Sequence, residues 1–366
     1  MKASVCYISP LSIHSLRYME AFFHRGYSVF LVTDSRTWMA PDVLSTQVRT
    51  LPSLNKKSLL QRIVPNTLRL VRILKQVKPD IVHLHAQHLY GPAIFLSGLP
   101  FILTSWGTEV LNLPYTNAIR LSLAKVIASK ASMVTVDAKC LKETWTSMSI
   151  SENKIRVIPF GVDTRKFNPN INGRAIQKNL LLREENVVAI STRPFYEENH
   201  YNISCLIKAI PLVLRRARDV RFVIKGSGPL ENHLKNLAKR LNVLKEVRFV
   251  GIVSRSEVPK YLSAADIYVS TCIVDSTSVS LLEAMACGLA PVVTDIPGNR
   301  EWIEDGVNGF LFPPRDSEAL AEKLVQLVED RSLRESFGRK CFQIIKERAE
   351  WKDCVSKMEA IYRSLL

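Results

Sequence analysis

The chain has 366 residues, 47% apolar and 23% charged, enough for two ordinary globular domains and too apolar for a disordered chain. No apolar run reaches the length of a membrane span, and the opening Met1-Lys-Ala-Ser-Val-Cys-Tyr-Ile-Ser-Pro reads as a first strand, not a leader. The net charge of +16 calls for an anionic partner; no helix-turn-helix, zinc or aromatic-basic signature speaks for nucleic acid, which leaves a phosphorylated substrate or an anionic membrane surface. In chain order, Val5–Ser9 reads as a strand, Leu16–His24 as a helix stopped at Gly26, and Ser28–Thr33 as a second strand, the opening βαβ of a doubly wound α/β domain. Asn55–Val77 is a basic helical stretch. Leu60, Ile63, Val64, Leu68, Val71 and Leu74 form one face, with Lys56, Lys57, Arg62, Arg69, Arg72 and Lys75 largely off it. Such a helix either lies on an anionic membrane or is a solvated outer helix.

Asp80–His85 and Phe101–Thr104 read as strands that end in polar residues. Ligands of open α/β sheets bind beyond such carboxyl ends, which singles out His85, Trp106, Gly107, Thr108 and Glu109. Ser132–Asp137 is a further strand and Ala138–Ser147 its helix. Asn186–Arg193 opens the second half as a buried strand with a cation at its end; the planar guanidinium fork suits a phosphate. Val220–Lys225 ends in a second cation, followed by Gly226-Ser-Gly. Arg248–Gly251 and the helices Val258–Ala264, Ser317–Val328, Leu333–Ala349 and Trp351–Leu366 complete the plan. Seven scattered cysteines, an odd count without metal-ligand spacing, read as buried thiols of a cytoplasmic protein, and no metal site is expected.

The most informative stretch runs from Asp275 to Thr294. An apolar strand over Asp266–Ile273 enters a polar loop, a short helix stops at Gly288, and Pro291–Thr294 is a strand again. Backbone N–H groups and the positive end of a helix converge where an anion can sit, and Ser278 or Ser280 can cap that helix. Asp275 and Glu283 bracket the loop. Amides for a diphosphate and carboxylates for hydroxyls are what a nucleotide-sugar site needs, although an ordinary αβ connection carries the same Ser and Gly signals.

Asp275-x7-Glu283 followed by Ala-Met-Ala-Cys-Gly288-Leu-Ala-Pro-Val-Val resembles the signature of retaining GT-B glycosyltransferases of family 4, the glycosyl transferases group 1, with the first acid one methylene shorter than usual. Pro159-Phe-Gly-Val-Asp163 resembles the family's interdomain passage, and Arg193 resembles the arginine of its Gly-Arg-Leu motif. The resemblance implies two Rossmann-like domains facing a cleft: residues 1–165 for the acceptor, 166–350 for the donor, and a helix over 351–366 crossing back to the first domain. It implies a metal-independent, hexosyltransferase-like enzyme without cofactor, whose donor is a nucleotide-diphosphate sugar and whose acceptor is a glycan, a lipid-linked sugar or a small molecule. Polysaccharide, lipopolysaccharide or glycolipid synthesis would be its setting, in the cytoplasm or peripherally on the inner face of the membrane.

By the same resemblance, Asp275 meets the donor sugar, Glu283 the ribose, and the 277–281 segment (Thr277, Ser278, Val279, Ser280, Leu281) and Arg193 the diphosphate. The family's lysine after that arginine has no counterpart in Pro194–Asn202, and Lys225 is the replacement on offer. The family's glycine pair in the first loop is missing, though His14 matches a histidine beyond it. Trp106 stands where a histidine that touches the sugar is usual, leaving His85 or Glu109 to fill that role or to serve as strand-end structure. These departures keep a second reading open: a catalytically impaired nucleotide-sugar-binding subunit of the same fold.

Overall fold

The computed structural model describes residues 2–10, 12–33, 48–50, 59–85, 90–112, 118–196 and 198–366. The chain divides into two compact units, Met1–Pro159 with Cys354–Leu366 and Phe160–Asp353. Every strand pair is parallel, so each sheet is covered on both faces, and the strands are near-continuous runs of buried Val, Ile, Leu and Phe.

Among the described residues unit 1 has seven strands: β1 (Ser4–Ile8), β2 (Ser28–Thr33), β3 (Val48–Thr50), β4 (Ile81–His85), β5 (Phe101–Ser105), β6 (Met133–Val136) and β7 (Ile155–Val157), in the order β3-β2-β1-β4-β5-β6-β7. The order reverses between β1 and β4. Helices Ile13–His24, Leu59–Val77, Gly91–Ser97, Ala118–Lys130 and Lys139–Ser147 connect the strands. Ser12 opens the first of these with a capping box that it shares with Ser15. The basic stretch expected over Asn55–Val77 is helical from Leu59; Asn55, Lys56 and Lys57 lie outside the described residues.

Unit 2 has six strands: β8 (Val187–Thr192), β9 (Val220–Lys225), β10 (Val247–Gly251), β11 (Ile267–Ser270), β12 (Ala290–Thr294) and β13 (Phe310–Phe312), ordered β10-β9-β8-β11-β12-β13. This is the dinucleotide-fold order, with its switch point between β8 and β11. Asp316 and Asp330 cap the helices Ser317–Glu329 and Arg331–Arg348 through their side chains, each accepting backbone N–H groups.

The helix Trp351–Leu365 returns to unit 1 from Cys354 onward. Tyr362 is fully buried there, 3.0 Å from the Tyr7 hydroxyl and 2.5 Å from His83 Nδ1. His83 Nε2 continues to Thr104, and Thr104 to Thr135. One turn earlier, Glu359 receives Lys2 (3.1 Å), Arg25 (2.5 Å), Tyr27 (3.2 Å) and Arg363 (3.0 Å). Burial would raise its pKa, but these donors outweigh it and hold the carboxyl down at about 2. The seven cysteines are buried and unbridged. Among the described residues no helix is long and apolar enough to cross a membrane.

Candidate active site

The switch point of unit 2 gathers most of the donor-side residues singled out in the sequence. Arg193 leaves the end of β8 with its guanidinium buried and turned toward the end of β11. Its Nη2 donates to Ser278 Oγ (2.6 Å) and Ser270 Oγ (3.1 Å) and pairs with Asp275 Oδ2 (3.0 Å). Burial opposes the charge, yet Tyr268 and Asp275 outweigh it, and the pKa of Arg193 is raised. The group is therefore a fixed cation, held through Nη2 and Nε.

The 275–281 segment follows from local chemistry. Asp275 turns one oxygen back onto the Ser276 N–H (3.0 Å). Ser278 is the N-cap of helix Val279–Ala286, accepting from Leu281 N–H at 3.2 Å, while Ser280 reaches Tyr268 at 2.7 Å. Thr277 Oγ1 accepts from the Trp302 indole at 3.4 Å. The helix Pro297–Arg300 presses on the same segment. A Cβ on Gly298 would overlap the Ser276 carbonyl oxygen and lie 2.7 Å from that of Asp275, so only glycine lets the two backbones approach. Gly226 plays the same part on the other side, where a Cβ would overlap the Arg193 carbonyl oxygen.

Glu283 sits one turn into the helix, with a side chain only 4% exposed and an ion pair to Arg255. Arg255 stacks over the Phe167 ring at 4.8 Å. Lys225, at the end of β9, is half-buried; burial lowers its pKa, the Glu283 charge raises it, and Arg255 lowers it. The site thus holds two carboxylates and three cations. Arg255 is the member that sequence reasoning missed, since it belongs to no strand end and to none of the motifs quoted above.

The acceptor-side residues gather at the switch point of unit 1. His85 ends β4, with Nδ1 3.2 Å from Ser9 Oγ at the end of β1 and no hydrogen-bond partner on Nε2 among the described residues. The Trp106 ring packs 4.7 Å from His85 and 5.3 Å from His14, the second residue of its helix. The Glu109 carboxylate accepts the Trp106 backbone N–H at 2.5 Å, beyond Gly107, in the short helix Thr108–Leu111. Burial lowers the pKa of His83 to about 3 and that of His85 well below the usual value, and it raises that of Glu109. Both histidines are therefore neutral near pH 7.

Two family models tile the chain. The model described as Glycosyltransferase Family 4 matches residues 11–166, and that described as Glycosyl transferases group 1 matches residues 174–343. The chain is a family 4 GT-B glycosyltransferase. This glycosyltransferase superposes on the crystal structure of Anabaena HepE with UDP and glucose at a TM-score of 0.83 and 18% identity, over 99% of this chain and 100% of that one. It is 28% identical over 305 residues to an Escherichia coli UDP-Gal:alpha-D-GlcNAc-diphosphoundecaprenol alpha-1,3-galactosyltransferase, covering 80% of this chain and 78% of the relative. It is 24% identical to a GDP-mannose-dependent alpha-(1-6)-phosphatidylinositol monomannoside mannosyltransferase of Mycobacterium tuberculosis, covering 75% and 72%. The chain is accordingly a transferase that uses nucleotide-sugar donors, and the reading of a binding subunit without activity is set aside.

Proposed function

We propose that this glycosyltransferase moves a hexosyl group, with retention at the anomeric carbon, from a nucleoside diphosphate to a hydroxyl of a lipid-linked acceptor at a membrane surface. The observation that carries the reading is the Arg193 guanidinium, fixed between Ser278, Ser270 and Asp275 at the switch point of unit 2. As the bond from anomeric carbon to diphosphate oxygen breaks, negative charge grows on the diphosphate. Arg193 and the N–H groups at the start of helix Val279–Ala286 receive it, and being already in place they cost no reorganisation. The acceptor oxygen bonds to the same face of the anomeric carbon, and its proton passes to a diphosphate oxygen. Glu283 takes the ribose hydroxyls, Asp275 faces the sugar, and Lys225 with Arg255 supplies the cation that the usual lysine would have given. The acceptor side falls to the Trp106–His85–Glu109 cluster. A lipid-linked acceptor is favoured by two relatives whose names specify a diphosphoundecaprenol and a phosphatidylinositol substrate.

The test is incubation with UDP-, GDP- and ADP-hexoses and a bacterial lipid extract, reading the anomeric coupling of the product by proton NMR. An α product from an α donor supports the reading. A β product refutes retention, and no turnover of any donor refutes the assignment.

A further inference from the structure

The strand β11 lies inside its sheet, between β8 and β12, and all four of its side chains are buried. Such a strand suits apolar residues. Yet Tyr268 stands on it, fully buried, in the apolar cluster that includes Ile190, Leu281, Met285 and Val293. A phenylalanine would fill the same space without a polar tip; a buried phenol needs a hydrogen-bond partner. Among the described residues that partner is Ser280 Oγ, 2.7 Å away on helix Val279–Ala286. Ser280 Oγ lies in turn 3.1 Å from Ser278 Oγ, the atom that accepts from Arg193 Nη2 (2.6 Å) and from Leu281 N–H (3.2 Å).

Counting lone pairs fixes the direction of this chain. A serine hydroxyl has two acceptor sites and one hydrogen. Two N–H groups fill both acceptor sites of Ser278, so its hydrogen goes to Ser280. Tyr268 has no other acceptor among the described residues, and a buried O–H without a partner is costly, so it donates to Ser280 as well. Ser280 Oγ therefore accepts twice. Its own hydrogen is left over, with no acceptor among the described residues. Ser280 is half-buried, the second residue of the helix whose first N–H groups are assigned to the diphosphate. A hydroxyl there with both lone pairs occupied can act toward an anion only as a donor.

We propose that Tyr268 is a positioning residue for the nucleotide-sugar donor: together with Ser278 it occupies the lone pairs of Ser280, so that Ser280 Oγ presents its hydrogen to a diphosphate oxygen. The inference rests on the donor-side reading above and adds an oriented hydroxyl to the amides and cations assigned there. The hydroxyl is set before the ligand arrives, so it need not reorient as charge grows on the leaving group. The test is calorimetry of the full chain with UDP, GDP and ADP in turn, on wild type, Ser280→Ala, Tyr268→Phe and the double variant. Ser280→Ala should weaken the tightest-binding of the three roughly tenfold or more, the loss expected for a hydrogen bond to a charged group. Tyr268→Phe should weaken it roughly threefold in the wild-type background and no further in the Ser280→Ala background, because the phenol acts only through Ser280. Melting reports the donor direction independently: Ser280→Ala strands the buried phenol and should melt below wild type, and adding Tyr268→Phe should raise the melting temperature again. A Tyr268→Phe loss of the same factor in both backgrounds overturns the proposal, as does wild-type affinity in either single variant. A wild-type chain that binds none of the three nucleotides overturns the donor-side reading itself, and this inference with it.

Discussion

The sharpest test of the donor-side chemistry is Arg193→Lys set beside Arg193→Ala. The guanidinium engages two serine hydroxyls and a carboxylate at once, at 2.6, 3.1 and 3.0 Å. A lysine keeps the charge but brings no planar fork, so it holds one of these partners well and releases the others. Hydrogen bonds to charged groups contribute about 1.5–3 kcal/mol each. With one such contact to the leaving diphosphate lost, kcat should fall about a hundredfold in the lysine variant; the alanine variant should lose about a hundred- to a thousandfold, as for other preorganised anion donors. Stability separates the two further. Alanine strands Asp275, whose side chain is only 18% exposed, at a cost of about 3 kcal/mol, or roughly 6–12 °C in the melting temperature of a unit this size. Lysine keeps the ion pair and most of that stability. The assay is steady-state transfer from a labelled donor, with kcat and KM resolved, alongside a thermal melt of each variant. A lysine variant with wild-type melting and kcat within threefold of wild type would refute the role given to the fork.

Arg255→Ala should raise the donor KM roughly tenfold with little change in kcat, because the nearly buried Glu283 loses its partner, and Arg255→Lys should recover part of the loss. Gly298→Ala forces a Cβ into the Ser276 carbonyl, so both nucleotide affinity by calorimetry and melting temperature should drop. The pKa of His83 is about 3 when folded, below its unfolded value, so the unfolded chain binds the proton more readily and stability falls as pH drops from about 6.5 toward 3. At pH 5 this amounts to about 2 kcal/mol, and pH-dependent melts of His83→Gln should lack that slope. The folded carboxyl of Glu359 is also depressed, so its contribution is full above about pH 4.5 and fades as pH falls toward 2; the gap between wild type and Glu359→Gln should close over that window.

Arg193, Lys225 and Asp275 are legible in the sequence because a parallel sheet sends its strand ends to one edge, and each of them stands at a strand end or in the loop that follows one; Glu283, one turn into the helix after that loop, is legible through its spacing from Asp275. Arg255 carries no such signal. It lies in Ser254-Arg255-Ser256, past the end of β10, and only its packing on Phe167 and Glu283 sets it apart from other loop arginines. The three-residue strands β3, β7 and β13 are too short for any pattern to register. The helix Ala118–Lys130 escaped for the opposite reason: apolar side chains on two faces erase the one-sided stripe that marks an amphipathic helix. The polar chain from Tyr7 through Tyr362 to His83 joins residues 279 and 355 positions apart, a distance over which local pattern says nothing.

That long reach has a consequence for biosynthesis. Tyr7 and His83 emerge early from the ribosome, yet the hydroxyl that satisfies both arrives only with residue 362, after all of unit 2. Until then the first-made sheet lacks the partner of His83 Nδ1 and of the Tyr7 hydroxyl, while unit 2 is translated and can fold behind it. The first half to be made is the second to be completed, and a stalled or clipped chain that lacks its final helix should expose this defect to proteases even though every strand of both sheets is present.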